Sequence, residues 1–372
     1  MKKLTVVQML PELESGGVER GTLEVGKYLV DHGHRSIVIS GSGQMVEQLQ
    51  REGSEHVDWE VGKKSFATIR YIKKVRKYLQ ETKPDILHLR SRLPAWIGYL
   101  AWKKLPENDR PKLVTTVHGP YTVGKYSSVM IQGEKIIAVS EMIRDYIMNN
   151  YSVVDPGIIT VIHRGVDTSR YFPTFKPSEE WRTKWFNEYP QMNDKLLLTI
   201  PGRLTRWKGQ EDFVEIMRTL IKDGQNVHGL IVGSAHPKKK EYEEELRSII
   251  RSLGLENHIT LTGHRNDLKE ILSLSCIAFS LSTEPEAFGR TTIEALSLGT
   301  PVIGYNHGGV KEQLEKLFPE GAIQVGKFGK AVVKIKEWMN SPVEPMPNQE
   351  FTLDSMCSST LKIYESFFDN ER

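Results

Sequence analysis

Two glutamates that lie eight residues apart around a glycine form the densest chemical signal in the sequence. Glu286 and Glu294 flank the segment Ala287-Phe288-Gly289-Arg290-Thr291-Thr292-Ile293, where the pattern predicts the start of a helix. The first backbone N–H groups of a helix lack partners within it, so this start suits phosphate or sugar oxygens. Glu286 on the loop and Glu294 in the helix would then accept from hydroxyl groups at either end of a nucleotide-sugar. The alternative is structural: Glu286 favours the helix dipole and Glu294 is a solvated helix residue.

Two cations and a pair of glycines lie where other predicted strands turn into helices. Arg203 and Lys208 belong to the segment GRLTRWKG that begins at Gly202. Such a strand-to-helix loop can hold a diphosphate, although each cation alone is equally explained as a surface charge. Near the start of the chain, Gly16 and Gly17 lie between the first predicted strand and the first predicted helix. Adjacent glycines permit a ligand to approach the backbone closely, but they are also common in tight turns.

The composition indicates a folded chain with two domains. It has 372 residues, of which 39% are hydrophobic and 26% charged, so disordered and fibrous classes are excluded. Cys276 and Cys357 are too few for a disulfide framework or a cysteine-rich metal site, which favours a reducing, cytoplasmic setting. The first apolar run breaks at Gln8, too early for a signal peptide. No run approaches the roughly 18 apolar residues of a membrane span, so we expect membrane contact to be peripheral at most.

The charge of the chain is unevenly distributed. Residues 1–172 carry 25 Lys and Arg against 19 Asp and Glu, whereas residues 173–372 carry 25 against 28. A predicted helix over 66–80 has a basic face and an apolar face at helical spacing. The basic face, together with two preceding lysines, comprises Lys63, Lys64, Arg70, Lys73, Lys74 and Lys77; the apolar face comprises Ile69, Ile72, Val75 and Leu79. We expect the basic face to contact anionic lipid headgroups, not nucleic acid; an ordinary solvated helix is the alternative.

Short strands that alternate with helices must position these residues. In the first domain, residues 1–172, the predicted strands lie at 4–10, 36–40, 85–89, 113–117 and 135–139. Residues 173–194 have poor periodicity and are interpreted as the inter-domain connection. The second domain, residues 195–352, repeats the pattern with predicted strands at 196–200, 227–232, 259–261, 277–280 and 301–304. A last helix is predicted over 353–368. The alternation predicts parallel sheets with helices on both faces.

Two other kinds of site fit the sequence poorly. The segment that begins at Gly41 lacks the third glycine of the dinucleotide fingerprint and follows the second strand, which disfavours a nicotinamide dehydrogenase. No Asp-x-Asp pair is present to hold Mn²⁺ or Mg²⁺ against a diphosphate, and no His-Glu-x-x-His occurs. We therefore expect neither a metal nor another cofactor.

Several motifs, in their order along the chain, resemble the retaining glycosyltransferases of family 4, which have a GT-B fold. The motifs are Gly16-Gly17-Val18-Glu19, Val117-His118-Gly119, Ala138-Val139-Ser140, Gly165-Val166-Asp167, Gly202-Arg203 with Lys208-Gly209, and Glu286 with Glu294. The similarity extends over nearly the whole chain. Residues 282–309 are most similar to bacterial enzymes that build lipopolysaccharide or other surface glycans. The implied fold is α/β, with two Rossmann-like domains that face a central cleft.

The resemblance also implies a role for each matched residue. The expected catalytic residues are Arg203 and Lys208 against the donor diphosphate, Glu286 at the transferred sugar, and His118 on the acceptor side. The expected donor-binding residues are Gly16, Gly17, Gly202, Gly263, His264, Arg265, Ala287, Phe288, Gly289, Arg290 and Glu294. Among them, the backbone at 263–265 would meet the base and Glu294 the ribose. The first domain would hold the acceptor, and the C-terminal segment 353–372 would pack back on it.

The function that follows is transfer of a hexose or N-acetylhexosamine, with retention, from a UDP-sugar or, less favoured, a GDP-sugar. The acceptor would be a glycan or a lipid-linked glycan of bacterial lipopolysaccharide or surface polysaccharide, at the inner face of the cytoplasmic membrane. The alternatives are a nucleotide-sugar epimerase on the same fold and a non-catalytic sugar-binding protein. One departure stands out. The family usually has Pro-Asn before the glycine matched by Gly165, whereas this chain has His163-Arg164; altered acceptor-side chemistry and an altered loop conformation both remain open.

Overall fold

The computed structural model describes residues 2–236 and 240–369 and divides the chain into two compact units. Unit 1 comprises residues 1–164 and 353–372, and unit 2 comprises Gly165–Thr352. The sequence placed the first boundary at residue 172. The chain instead passes into unit 2 at Gly165, because Val166 pairs with Thr352 in a parallel β-bridge and its side chain joins the core of unit 2.

Unit 1 is built on a seven-stranded parallel sheet. The strands are β1 (Thr5–Met9), β2 (Arg35–Ser40), β3 (Glu55–Asp58), β4 (Ile86–Leu89), β5 (Lys112–Val117), β6 (Lys135–Ala138) and β7 (Ile159–Val161). The helices that connect them are α1 (Gly17–Asp31), α2 (Val46–Arg51), α3 (Tyr71–Thr82), α4 (Arg92–Lys103) and α5 (Glu141–Asn150). The strand order is β3-β2-β1-β4-β5-β6-β7.

Unit 2 repeats this plan with a six-stranded parallel sheet. Its strands are β8 (Leu196–Pro201), β9 (Val227–Val232), β10 (Ile259–Gly263), β11 (Ile277–Ser280), β12 (Val302–Tyr305) and β13 (Ala322–Ile323), in the order β10-β9-β8-β11-β12-β13. Its helices are α6 (Glu179–Glu188), α7 (Gln210–Lys222), α8 (Glu241–Ser252), α9 (Leu268–Leu274), α10 (Arg290–Ser297), α11 (Gly308–Leu317) and α12 (Phe328–Asn340).

The central strands are mainly apolar without alternation because both faces of each sheet are covered. Every residue of β4 and β9 is buried, and so are Val6, Val7 and Met9 of β1. Parallel sheets with helices on both faces have this composition, which explains why the apolar runs in the sequence located most strands within two residues. In both sheets the strand order reverses, between β1 and β4 and between β8 and β11. Ligands of open α/β sheets bind at the carboxyl ends of the strands beside such a reversal.

Residues 173–194, which the sequence suggested were a bare connection, contain helix α6. Ser178 caps the helix by accepting from the backbone N–H of Trp181. Trp185 is fully buried against Leu197 and Leu230 of the unit 2 sheet. The prolines on either side interrupted the helical periodicity, so the sequence pattern concealed this helix.

A last helix, α13 (Leu353–Glu365), lies in unit 1 although it follows unit 2 in the chain. Leu361 and Tyr364 are buried in the same cluster as Val6 of β1, and Phe368 packs against that cluster. The Tyr364 hydroxyl and His88 Nδ1 of β4 are hydrogen-bonded at 2.6 Å. Residues 370–372 of the predicted segment 353–372 lie outside the described residues.

Candidate active site

Two loops at the strand-order reversal of unit 2 lie against each other. One follows β8 and contains residues 202–209; the other follows β11 and contains residues 281–289. Thr283 donates its backbone N–H to the carbonyl of Trp207 at 2.7 Å. Gly209 has φ 74°, and a Cβ there would lie 2.0 Å from the carbonyl oxygen of Leu281, so only glycine fits this close approach. The adjacency of β8 and β11 thus brings together two segments that are far apart in sequence.

Lys208 and Glu286 meet at this junction. Lys208 Nζ lies 2.7 Å from Glu286 Oε2, and the two side chains are only 18% and 16% exposed. Ser282 donates its hydroxyl to Glu286 Oε1, and His307 Nε2 donates to the carbonyl of Ser282 at 2.6 Å. The backbone N–H of Gly309 donates to the carbonyl of Glu286 at 2.8 Å. The Glu286 carboxylate is therefore held in place by a cation and a hydroxyl group. A residue that only favoured the helix dipole would not need these two contacts.

Helix α10 begins at Arg290, where the sequence predicted it, but two residues near its start, Phe288 and Glu294, are buried. Glu294 is 4% exposed, so its interpretation as a solvated helix residue is wrong. Phe288 is also 4% exposed and packs against Phe351, which leaves its side chain in the core. Gln313 of α11 donates to the carbonyl of Phe288, and Arg290 donates to the carbonyl of Gly165 at 3.3 Å. The segment is thus held rigidly in unit 2.

The other predicted donor residues follow the neighbouring strands. Arg203 is exposed, and its carbonyl accepts from Gln210 at 3.2 Å. The ends of β8, β9 and β10 are joined by backbone hydrogen bonds from Gly202 to Val232 and from Gly233 to Gly263, each 2.9 Å long. Gly202, Arg203 and Gly263 therefore lie at the same edge of the sheet as Lys208 and Glu286.

The side chain of Arg265 has a structural role. It forms two hydrogen bonds with the carboxylate of Asp267, at 2.8 and 2.7 Å, and an ion pair with Glu188 at 3.3 Å. The hydrogen bond with Asp267 raises the pKa of Arg265. Trp181 of α6 donates to the same carboxylate at 2.9 Å. For the predicted contact with the nucleotide base, the backbone at 263–265 and the exposed His264 remain as candidates.

The remaining predicted site residues lie in unit 1. Gly16 is the N-cap of α1 and Gly17 is its first residue. A Cβ on Gly16 would lie 2.4 Å from Glu19 Oε2, so the Glu19 carboxylate turns back over the helix start. Its position three residues into the helix is that of the acidic member of a capping box. These glycines thus have a role in helix initiation beside the predicted role at a ligand.

His118 directly follows β5 and contacts an arginine that sequence reasoning did not assign to the site. Arg164 donates to His118 Nδ1, so the proton of the neutral imidazole is on Nε2. Burial, together with the nearby charges of Arg164 and Arg90, holds the pKa of His118 well below 6.5. The departure from Pro-Asn at 163–164 was the only signal for this residue, and the structure places the Arg164 guanidinium in a hydrogen bond with His118.

The basic segment of unit 1 differs in one respect from the predicted helix over 66–80. Its cations are exposed, but residues Phe66–Arg70 form a 3₁₀ turn and α3 begins only at Tyr71. Val75 and Leu79 are buried as predicted, whereas Ile69 is 59% exposed and Phe66 is 95% exposed. Ile69 leaves the apolar face because a 3₁₀ turn has three residues per turn and rotates its side chains out of the α-helical register.

The described part of the chain offers neither a membrane-spanning helix nor a cluster of metal ligands. Residues 2–236 and 240–369 contain no helix that is long and apolar enough to cross a bilayer. In the same ranges, no group of three or more His, Cys, Asp and Glu side chains is arranged to hold a metal ion.

Comparison with known proteins links both units to one kind of enzyme. Residues 15–170 match the model of Glycosyltransferase Family 4, and residues 182–349 match that of Glycosyl transferases group 1. A glycosyltransferase structure from Rickettsia africae is 30% identical, with a TM-score of 0.87 and full coverage of both chains. The structure of Anabaena Alr3699/HepE with UDP and glucose has a TM-score of 0.81 at 20% identity, covering 98% of this chain and all of that one. N-acetyl-alpha-D-glucosaminyl L-malate synthase of Bacillus anthracis is 25% identical over 85% of this chain and 82% of its own length.

Proposed function

The chain belongs to the glycosyltransferases of family 4 with a GT-B fold, and from this premise we propose that it transfers a hexose or N-acetylhexosamine with retention of configuration. The observation that carries the proposal is the partly buried pair Lys208–Glu286, at the carboxyl ends of β8 and β11. Glu286 itself lies eight residues before the buried Glu294. A cation beside a fixed carboxylate suits a donor whose diphosphate and sugar hydroxyls lie next to each other.

A UDP-sugar is the favoured donor, and a GDP-sugar is the second candidate. The complex of Anabaena Alr3699/HepE with UDP and glucose supports this choice. The exposed backbone and His264 beyond β10 would contact the base, and Glu294 the ribose. Glu286, whose carboxylate is held by Lys208 and Ser282, would accept from a hydroxyl of the transferred sugar.

The chemical step requires stabilisation of negative charge on the leaving diphosphate. The bond from the anomeric carbon to the phosphate oxygen breaks, and a bond to the acceptor oxygen forms on the same face of the sugar. The proton of the acceptor hydroxyl passes to the departing phosphate oxygen, so no protein nucleophile is needed. Lys208 and Arg203 would supply the positive charge without a metal ion, as preorganised electrostatic groups.

The acceptor is proposed to be a glycan or lipid-linked glycan of bacterial surface polysaccharide. The similarity of residues 282–309 to lipopolysaccharide enzymes supports this, and so does the basic segment of unit 1. Phe66 is 95% exposed beside Lys63, Lys64 and Arg70. An exposed aromatic ring with exposed cations close to it in the sequence matches the chemistry of an anionic membrane surface, where the ring enters the headgroup layer.

Two assays test the enzymatic proposal. The protein is incubated with UDP- and GDP-sugars and glycan acceptors, with and without EDTA, and the product anomer is assigned by NMR. We expect acceptor-dependent transfer with retention that EDTA leaves unchanged. Inversion, or activity that EDTA abolishes and Mn²⁺ restores, would contradict the proposed mechanism. Conversion of the donor sugar without any acceptor would instead support the epimerase alternative.

Vesicle co-sedimentation tests the membrane contact. The first variant replaces Arg70, Lys73, Lys74 and Lys77 with Gln, and the second is Phe66→Ser. A matched control replaces four exposed cations of unit 2, Arg182, Arg218, Arg247 and Lys311, with Gln. At about 1 kcal/mol per cation near an anionic surface, the first variant should bind such vesicles about 10²–10³-fold more weakly than the control. Equal pelleting of the wild type and all three variants would leave this segment as a solvated surface.

A further inference from the structure

Two buried arginines that the proposed chemistry does not use lie with the neutral His118 at the carboxyl ends of the strands of unit 1. Arg90 directly follows β4, His118 follows β5, and Arg164 follows β7. Helix α1, which follows β1, passes over them at Gly21. All four residues therefore lie at the carboxyl edge of the sheet, where open α/β sheets bind their ligands.

Arg90 is the most deeply buried charged residue of this group. It is 1% exposed, and its Nη1 donates to the side-chain carbonyl of Gln8 at 2.8 Å. Its Nε and Nη2 atoms are buried and have no hydrogen-bond partner among the described residues. Buried guanidinium donors are normally satisfied, because the desolvation of an unpaired charged donor is costly. The two donors of Arg90 therefore indicate a missing acceptor.

Arg164 is directed to the same place. It is 7% exposed. The position of a Cβ on Gly21 would be 3.2 Å from Arg90 Nη2 and 3.3 Å from Arg164 Nη1. Glycine inside a helix is unfavourable compared with alanine, and here the absence of a side chain lets two guanidinium groups approach the helix backbone closely. The helix thus contains an unfavourable glycine at the point where the two guanidinium groups lie closest to it.

His118 adds a third donor with no partner. Its Nδ1 accepts from Arg164, so its Nε2 carries the proton, and that atom is buried without a partner in the described part of the chain.

The acidic groups whose charges act on Arg90 are Glu24 and Glu19 of α1, together with the hydroxyl of Tyr364 and the thiol of Cys357. Glu24 also lies 3.5 Å from Arg20.

We propose that Arg90 and Arg164, beside Gly21, form a binding site for a compact oxyanion, and that the acceptor carries this anion as a phosphate or carboxylate group. The assignment to the acceptor rests on the proposed function, which gives unit 1 the acceptor; the oxyanion site itself rests on the geometry alone. Guanidinium groups suit both anions because their planar donors match two oxygens at once. The acceptor of this enzyme is accordingly an anionic glycan.

Calorimetric titration of the full chain with inorganic phosphate, and separately with acetate, tests the site. UDP is present in excess to occupy the donor site, and the ionic strength is constant. We expect one anion site in the wild type. Tighter binding of phosphate would indicate a phosphate group on the acceptor, and tighter binding of acetate would indicate a carboxylate group. Arg90→Gln should weaken anion binding about tenfold to a hundredfold, the effect of losing hydrogen bonds to a charged group. Arg35→Gln, which removes an exposed cation of the same sheet, should bind the anion as the wild type does.

Two further variants make each outcome decisive. Gly21→Ala places a methyl group 3.2 Å from Arg90 Nη2 and 3.3 Å from Arg164 Nη1, so both guanidinium groups must shift. The helix itself accepts alanine, so this variant replaces Arg90→Gln if that variant does not fold. Lys208→Gln should keep this anion site and weaken UDP binding. Absence of phosphate and acetate binding in the UDP-bound wild type, or unchanged binding in folded Arg90→Gln and Gly21→Ala, would overturn the proposal and leave a hydrated structural cluster.

Transfer assays separate this proposal from the proposed function. Wild type and Gly21→Ala are compared on an acceptor with its phosphate or carboxylate group and on the same acceptor with that group removed. We expect Gly21→Ala to raise the acceptor KM for the anionic substrate only, while UDP binding is unchanged. Equal use of the two acceptors by the wild type would refute the anionic acceptor, and absence of any transfer would refute the proposed function instead.

Discussion

Lys208 and Glu286 should contribute jointly to the free energy of unfolding, and both should be necessary for catalysis. A double-mutant cycle measures the energetic coupling between the two side chains. The cycle consists of Lys208→Met, Glu286→Gln and the double variant. Each side chain is less than one-fifth exposed, at 18% and 16%. Removing one partner of a fully buried pair costs about 3–5 kcal/mol. With the remaining exposure to water, we expect about 1–3 kcal/mol for each single variant.

The double variant leaves no unpaired charge, so its destabilisation should be smaller than the sum of the single effects. We expect a coupling energy of about 1–2 kcal/mol. A matched control lies two residues away, where Arg206 pairs with Glu245 at 2.6 Å but the side chains are 65% and 47% exposed. Because water screens that pair, its coupling energy should stay below about 1 kcal/mol. Urea unfolding followed by tryptophan fluorescence reports on both cycles, and Trp207 lies 4.5 Å from Lys208 Nζ.

Kinetics on the same variants test the catalytic role. Lys208→Met should lower kcat by about 10²–10³, the usual loss for one preorganised donor at a developing charge. Glu286→Gln should also lower kcat, with a smaller change in the donor KM, because sugar positioning matters most as the anomeric bond breaks. A coupling energy no larger than that of the Arg206 control, together with wild-type kcat in both variants, would refute the assignment of this pair.

Three further predictions follow from burial and contacts. Glu294→Ala should weaken UDP binding about tenfold to a hundredfold, measured by titration, because a charged hydrogen-bond acceptor is lost; unchanged affinity would remove Glu294 from the nucleotide site. Truncation after Thr352 removes α13 and uncovers the apolar cluster around Val6, so amide exchange should become fast throughout unit 1 and stay slow in unit 2; slow exchange in both units would show that α13 is dispensable. Burial holds the pKa of His88 well below 6.5, so the folded state binds fewer protons than the unfolded one. Stability should therefore be complete above about pH 6.5 and fall as the pH decreases below it; a His88→Asn variant with the same pH slope would exclude His88 as the cause.

Most of the fold could be predicted from the sequence because both sheets are buried on two faces. Short runs of mainly apolar residues located β1, β4 and β9, and glycines such as Gly202 after β8 marked the loops. β3, with the sequence Glu55-His56-Val57-Asp58, was not predicted because it is an edge strand of mixed polarity. Helix α6 was hidden by the prolines around it, and its burial depends on the sheet beneath it.

The candidate site was predictable to the extent that its residues are adjacent in the sequence. Glu286 and Glu294 lie in one short motif, and the pair Lys208–Glu286 could be anticipated as two motifs of one site. Arg90 and Arg164 could not, since each is an isolated arginine whose significance depends on where β4 and β7 end. Nor does the sequence show that the side chain of Phe288 belongs to the core while Glu286, two residues earlier, is 16% exposed.

The position of α13 has a consequence for the order in which the protein folds. During synthesis, the whole of unit 2 is made before the helix that completes unit 1, so unit 2 can fold while unit 1 is still unfinished. The hydrogen bond between His88 and Tyr364 joins residues separated by 276 positions. Contacts of such sequence separation form slowly, because the intervening chain must first be brought together. Until then, the apolar face that α13 covers is open to solvent, and unit 1 is the part of a nascent chain that would bind chaperones.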